Sequence, residues 1–101
     1  MAGIVMNLSS MRGEVILAAA DADVLGKTLR EKNLHLTVDK SFYGEAKVSE
    51  TTYISSLRIC TIANLVGKRV IELAISEGFV DPDNVITIQG IPHAQYARFT
   101  V

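Results

Sequence analysis

Apolar and polar positions alternate at the start of the chain. From Gly3 to Ser9, Ile4, Met6 and Leu8 fall on one side, and Val5, Asn7 and Ser9 on the other. That period of two predicts a strand. "SSMRG" supplies turn chemistry, with Gly13 free to take a positive φ. In "EVILAAA" the second face (Ile16, Ala18, Ala20) is apolar too, which predicts a central strand covered on both sides and paired with the first in a hairpin.

The period then changes. In "DADVLGKTLREK" Leu25 and Leu29 lie four apart, Asp21 or Asp23 is a candidate cap, and Lys27, Arg30 and Lys32 gather toward the end. This predicts a short helix, weakened at Gly26 by about 1 kcal/mol. "LHLTV" alternates again, with Leu34, Leu36 and Val38 inward and His35 and Thr37 outward. "DKSFYGEAKVSE" is punctuated as a loop. From Ser49, an N-cap with Thr52 three residues on, the pattern is helical, with Tyr53, Leu57 and Cys60 or Thr61 in one stripe. It continues through "TIANLVG" into "KRVIELAISEG", predicting two helices joined near Asn64 to Gly67, or one kinked there, ending at Gly78. "VDPDN" is a turn. "VITIQ" and "AQYARF" are strands on either side of a turn holding Gly90, Ile91, Pro92 and His93.

The predicted order is β-β-α-β-α-α-β-β. It argues for an α+β fold, a mostly antiparallel sheet of about four to five strands with helices packed on one face. The chain has 101 residues, 49% of them hydrophobic, and no linker or repeat, so residues 1–101 are expected to form a single domain. The longest apolar run, Val15 to Ala20, is far short of the roughly 20 residues that cross a bilayer, and no signal peptide is evident. A lone cysteine, Cys60, cannot form an internal disulfide. A cytoplasmic protein without a membrane partner is expected. Ten Lys plus Arg against eleven Asp plus Glu lower the expectation of a general nucleic-acid binder.

Candidate chemistry is sparse. One Cys and two His without ligand spacing give no metal site, and no cofactor motif is present. "NLVGKR" fails the phosphate-loop pattern, since Ile62 stands where the first Gly belongs and Arg69 follows Lys68. What remains is a helix start at Gly67, near Asn64, whose free amides beside Lys68 and Arg69 suit an anion; close packing at Gly67 is the plainer alternative. Cys60 on an apolar stripe reads as a small hydrophobe, and Asp21, Asp23, Asp81 and Asp83 as caps and turn residues. Phe42 and Tyr43 before Gly44 either anchor their loop or offer a stacking surface, with anchoring favoured. In "GIPHAQ", Gly90 and Pro92 stiffen a corner from which His93 would project beside Gln95, as a binding or titrating group or as a donor to a backbone carbonyl.

"GEVILAAADADVLGKTLRE", "SFYGE", "TIANLVGKRVIELAISEGFVD" and "NVITIQGIPHAQ" together resemble a family of small archaeal proteins known as domain of unknown function 424. The likeness covers nearly the whole chain. It implies an archaeal cytoplasmic α+β protein and carries no catalytic assignment; the family's "SFYGG" has Gly where this chain has Glu45.

Three expectations follow. The first is a non-catalytic binding module in a larger assembly, its surface built from Phe42, Tyr43, Gly44, Asn64, Gly67, Lys68, Arg69, Gly90, Pro92, His93 and Gln95. An RNA or ribonucleoprotein partner of the translation apparatus is one form of it. The second is an enzyme using His93 as general acid or base with an anion at Gly67, and the third is a structural or homo-oligomeric role. The first requires that folding gather the three loops onto one patch.

Overall fold

The structure is a computed structural model, which describes residues 3–98. The predicted hairpin is present. β1 (Ile4–Met11) and β2 (Glu14–Asp21) pair antiparallel along their whole length, closed by Arg12 and Gly13 at φ 52 and 82. Two positive φ angles in a two-residue connection match the right-handed twist of the flanking strands. Leu17, Ala18, Ala19 and Ala20 are all buried, so β2 is central and covered on both faces.

The chain after β2 departs from the predicted helix. A single 3-10 turn, Ala22–Val24, leads to β3 (Thr28–Glu31), which pairs antiparallel with β4 (Leu34–Thr37) as a separate ribbon. Gly26 sits at φ +83, and its amide donates to the carbonyl of Val38. A residue in that conformation ends any right-handed helix. Leu29 is buried while Thr28 and Arg30 are exposed, so the operative period is two. Of the inward positions expected on β4, Val38 is buried, Leu36 half-buried and Leu34 exposed.

The predicted loop holds a one-turn helix, α1 (Lys40–Tyr43), capped by Asp39, and a two-residue strand, β5 (Lys47–Val48). α2 (Glu50–Ile59) begins as expected, with Ser49 Oγ accepting from the amide of Thr52 at 3.1 Å. The second correction follows at once. "TIANLV" is not helix but β6 (Ile62–Val66), parallel to β2, and only then does α3 (Lys68–Ser76) start. Both faces of β6 carry apolar residues, Ala63 and Leu65 on one and Ile62 and Val66 on the other, and an apolar run of that kind imitates a buried helix. A 3-10 turn, Pro82–Asn84, leads into β7 (Ile86–Ile88) and β8 (Ile91–Ala97). The turn between them is Gln89 and Gly90 alone, at φ 53 and 78, so Pro92 and His93 lie within a strand. Phe99, where the last strand was expected to end, lies outside the described residues.

The fold is therefore α+β, with a six-stranded mixed sheet in the order β5-β1-β2-β6-β8-β7 and the two-stranded β3–β4 ribbon. Every pair is antiparallel except β2 with β6. Helices α2 and α3 cover one face, where Leu17, Ala19, Ala63, Leu65 and Ala94 meet Tyr53, Leu57, Val70 and Ala74. The opposite face is covered only in part. There the ribbon and α1 lay Val24, Leu29, Val38 and Tyr43 over Val5, Ala18, Ala20, Val66 and Ile88.

One carboxylate ties these layers together. Asp21, at the end of β2, accepts from the amides of Arg69 at 3.0 Å and Val70 at 2.9 Å, the first turn of α3. It caps a helix nearly fifty residues away, not the turn that follows it, where its side chain makes no bond. The approach demands glycine at position 67: its φ is +119, and a Cβ there would lie 2.4 Å from the Asp21 Cγ. Gly67 donates to the carbonyl of Pro92 at 2.9 Å, while its own carbonyl accepts from Ile71. A proline is tolerated opposite because the carbonyl its missing N–H would have met is already occupied.

Tyr53 of α2 completes the joint, its buried hydroxyl donating to the Val70 carbonyl at 2.8 Å. Burial raises its ionisation well above the ordinary 10.0, with the negative charges of Asp21 and Cys60 adding to the effect. Because the folded value exceeds the unfolded one, this stabilisation is complete below pH 10 and is lost as pH rises beyond it. Tyr53→Phe is expected to cost about 1 kcal/mol at neutral pH and to flatten the alkaline decline in stability. Urea unfolding followed from pH 7 to pH 11 checks both expectations, with Tyr43 and Cys60, whose ionisation burial also raises, contributing to the remaining slope.

Candidate functional site

Strand geometry decides which polar residues meet. Along β6 and β8, Asn64, His93 and Gln95 point to the face away from α2 and α3, with Asn64 opposite Gln95 and Val66 opposite His93. The Gln95 Nε2 donates to the Asn64 Oδ1 at 2.9 Å. That leaves the Gln95 Oε1 as acceptor and the Asn64 amide as donor, side by side on the surface.

His93 makes the bond that the plainer reading anticipated. Its Nδ1 lies 2.8 Å from the Leu65 carbonyl, and since a carbonyl only accepts, Nδ1 carries the proton. The ring is half-buried and fixed. Among the described residues its Nε2 has no partner, and it is not sealed from solvent, so it faces outward as the free nitrogen. Of three shallow depressions that border Gln95, two also touch Asn64 or His93. One, of about 290 Å³, runs over Ile62, Ala63, Asn64, Tyr96 and Ala97; the other, of about 360 Å³, is bounded by Asn84, Ile86, His93 and Ala94.

The same row of the sheet reaches farther than the sequence reading foresaw. Asn7 pairs with Ala18, Ala18 with Asn64, and Asn64 with Gln95. Asn7 donates to the Phe42 carbonyl at 3.4 Å. Phe42 is exposed and stands edge-on to Tyr43, with ring centroids 5.1 Å apart. "SFYG" and "GIPHAQ" thus share one face, two strands apart. Asn7, Ser9, Ile16, Ile62 and Ala97 form the floor between them and were missed as site residues. The alternation of Val5, Asn7 and Ser9 was the available signal.

The remaining candidates have internal duties. Tyr43 is buried and anchors α1, and burial raises its hydroxyl above 10.0. A Cβ on Gly44 would lie 2.6 Å from the Met6 carbonyl oxygen. The amides of Arg69 and Val70, offered by the sequence to an outside anion, are taken by Asp21. The Arg69 guanidinium grips Glu50 through two bonds of 2.7 and 2.9 Å, which hold the Glu50 carboxyl below its usual range and its own ionisation above. Lys68 is exposed beside a separate depression of about 320 Å³ that also borders Asp23, Glu72 and Ile91. Gly90 sits in the exposed turn and Pro92 half-buried in β8.

Folding therefore joins Asn64, His93 and Gln95, sets Phe42 on the same face, and leaves Gly67, Lys68 and Arg69 at the end of the sheet. On the strands of that face the charged residues are Glu14 and, opposite Val5 at the β5 edge, Lys47, while β6, β7 and β8 carry no Lys or Arg there. Among the described residues no three His, Cys, Asp or Glu side chains are grouped to hold a metal, and no helix is long and apolar enough to cross a membrane.

A family model described as "Protein of unknown function (DUF424)" matches residues 9–99. No curated protein matches the chain. A crystal structure of an uncharacterized conserved protein from Methanopyrus kandleri is similar, with a TM-score of 0.78 at 19% identity over 97% of this chain and 95% of that one. At that identity the likeness concerns the fold.

Cys60 is fully buried, and burial pushes its thiol up from 9.0. Its alkylation by iodoacetamide at neutral pH is expected to be on the order of 100-fold slower in the native protein than in urea. Comparable rates would return it to the list of reactive groups.

Proposed function

The chain belongs to the DUF424 family, and we propose that it is a non-catalytic binding module working inside a larger assembly. The observation that supports this reading is the pairing of Asn64 with Gln95 beside His93 on a sheet face that the ribbon and α1 leave half open. A fixed donor, a fixed acceptor and an imidazole nitrogen stand over an apolar floor of Ile16, Ile62 and Ala97. This suits a surface that orients a neutral polar partner, because fixed dipoles select geometry while the apolar floor adds affinity.

The partner is a protein surface. Around Asn64, His93 and Gln95 the strands β6, β7 and β8 present carboxamides and no Lys or Arg to the open face, whereas a nucleic-acid interface needs Lys or Arg to displace counterions. An enzyme with an anion at Gly67 has less support. Asp21 already fills that helix start, and the depression beside Lys68 is separate from the one beside His93.

Chemical cross-linking in cells, followed by mass spectrometry, tests the reading. Cross-links from the tagged native chain are expected to cluster around the open face. The double variant Asn64→Arg with Gln95→Arg should lose them while keeping its far-ultraviolet dichroism. Cross-links that persist in the variant would contradict the assigned face. Salt-sensitive binding of cellular RNA at low ionic strength would favour the polyanion instead.

A further inference from the structure

The sheet has an unfinished edge on the side away from β8. β5 pairs only with Ile4 and Val5 of β1, which leaves the strand from Leu8 to Met11 without an outer neighbour. The hairpin fixes which peptide groups are affected. The closing pair Met11–Glu14 exchanges hydrogen bonds, and bonded pairs recur at every second position, so Ser9, Asn7 and Val5 bond inward to β2. The bond from Ala22 to the Gly3 carbonyl, at 2.7 Å, continues the same parity. The N–H and C=O groups of Leu8 and Ser10 therefore point outward, and none of them meets a backbone or side-chain partner among the described residues.

Soluble proteins usually protect such an edge with Lys, Pro, a bulge or a covering segment. Met6 to Met11 reads "MNLSSM", with no charge and no proline, and it pairs with β2 without a bulge. The edge is apolar as well. Among the six exposed large apolar residues of the described region, Leu8 (38%) and Met11 (62%) are on the strand itself, and Phe42 (43%) stands beside Asn7.

We propose that this edge binds a second copy of the chain, joining two sheets into one across a two-fold axis at Ser9. Outward groups must face outward groups, so Leu8 bonds to Ser10 of the other copy and Ser10 to its Leu8. The alternative axis at Leu8 would drive Met11 onto Val5 of the other copy, where Lys47 already sits. With the axis at Ser9, Met11 lies opposite the other copy's Asn7 and reaches its Phe42, twice over by symmetry. A copy suits the edge because an uncharged strand can meet itself without like-charge repulsion. This inference does not rest on the binding reading above, whose polar residues lie on β6 and β8.

Static light scattering on the full chain tests it, with two cysteine variants as register probes. The native chain should show twice the 11.0 kDa chain mass, and Leu8→Lys should return it to one chain with unchanged dichroism. Facing Ser9 residues form a non-bonded pair with Cα atoms about 4.5 Å apart, within disulfide reach. Oxidised glutathione should therefore link Ser9→Cys into dimers, the oxidant leaving as two reduced thiols. Ser10→Cys, with its side chains on the other face and beyond reach, should remain unlinked. A native chain that is monomeric at high concentration overturns the proposal. So does a dimer that survives Leu8→Lys, or one in which the two cysteine variants cross-link alike.

Discussion

The joint between the end of β2 and the start of α3 organises this molecule. A helix start carries unsatisfied amides and a partial positive charge. Here both needs are met by Asp21, supplied from a strand far away in the chain. For the carboxylate to come close enough, position 67 must lack a side chain and take a positive φ, and so β6 turns directly into α3. The same residue bonds to Pro92 and sets β8 alongside β6. Val70, whose amide is capped, receives the Tyr53 hydroxyl on its carbonyl, which holds α2 against α3. Three strands and two helices thus meet at one buried charge and its neighbours.

The joint also explains where a site lies and where it does not. In open sheets, ligands tend to bind beyond the carboxyl ends of parallel strands, beside a helix start. The parallel pair β2–β6 provides such an end, and the protein fills it with its own carboxylate. Surface chemistry is displaced to the open sheet face, where Asn64, His93 and Gln95 are held by rigid strands, not by loops. His93 owes its fixed ring to the Leu65 carbonyl, a bond that leaves one nitrogen directed outward.

Much of this was legible in the sequence, and the failures have physical causes. The first hairpin could be read because β1 has one polar face and its turn needs a residue such as Gly13. The cap at Ser49 was visible because its partner, Thr52, is three residues away. By contrast, Leu25 and Leu29 suggested a helix through spacing alone, and Gly26 at positive φ with a bond to Val38 decided otherwise. "TIANLV" misled because apolar residues on both of its faces erase alternation. Asp21 was identified as a cap, but its partner lies forty-eight residues on, beyond the reach of any local pattern. Asn64, His93 and Gln95 were singled out individually. Only the antiparallel register of β6 with β8 shows that they share a face.

Amide hydrogen exchange at Arg69 and Val70 tests the central claim most directly. First-turn amides of a helix have no acceptor within the helix and normally exchange like open loop. If Asp21 holds them, both should be protected in the native protein. In Asp21→Ala their protection should fall by about 10- to 100-fold, the range expected for bonds to a charged acceptor, while the β1–β2 amides remain slow. Rapid exchange of these two amides in the unaltered chain, or protection that Asp21→Ala leaves intact, would contradict the account.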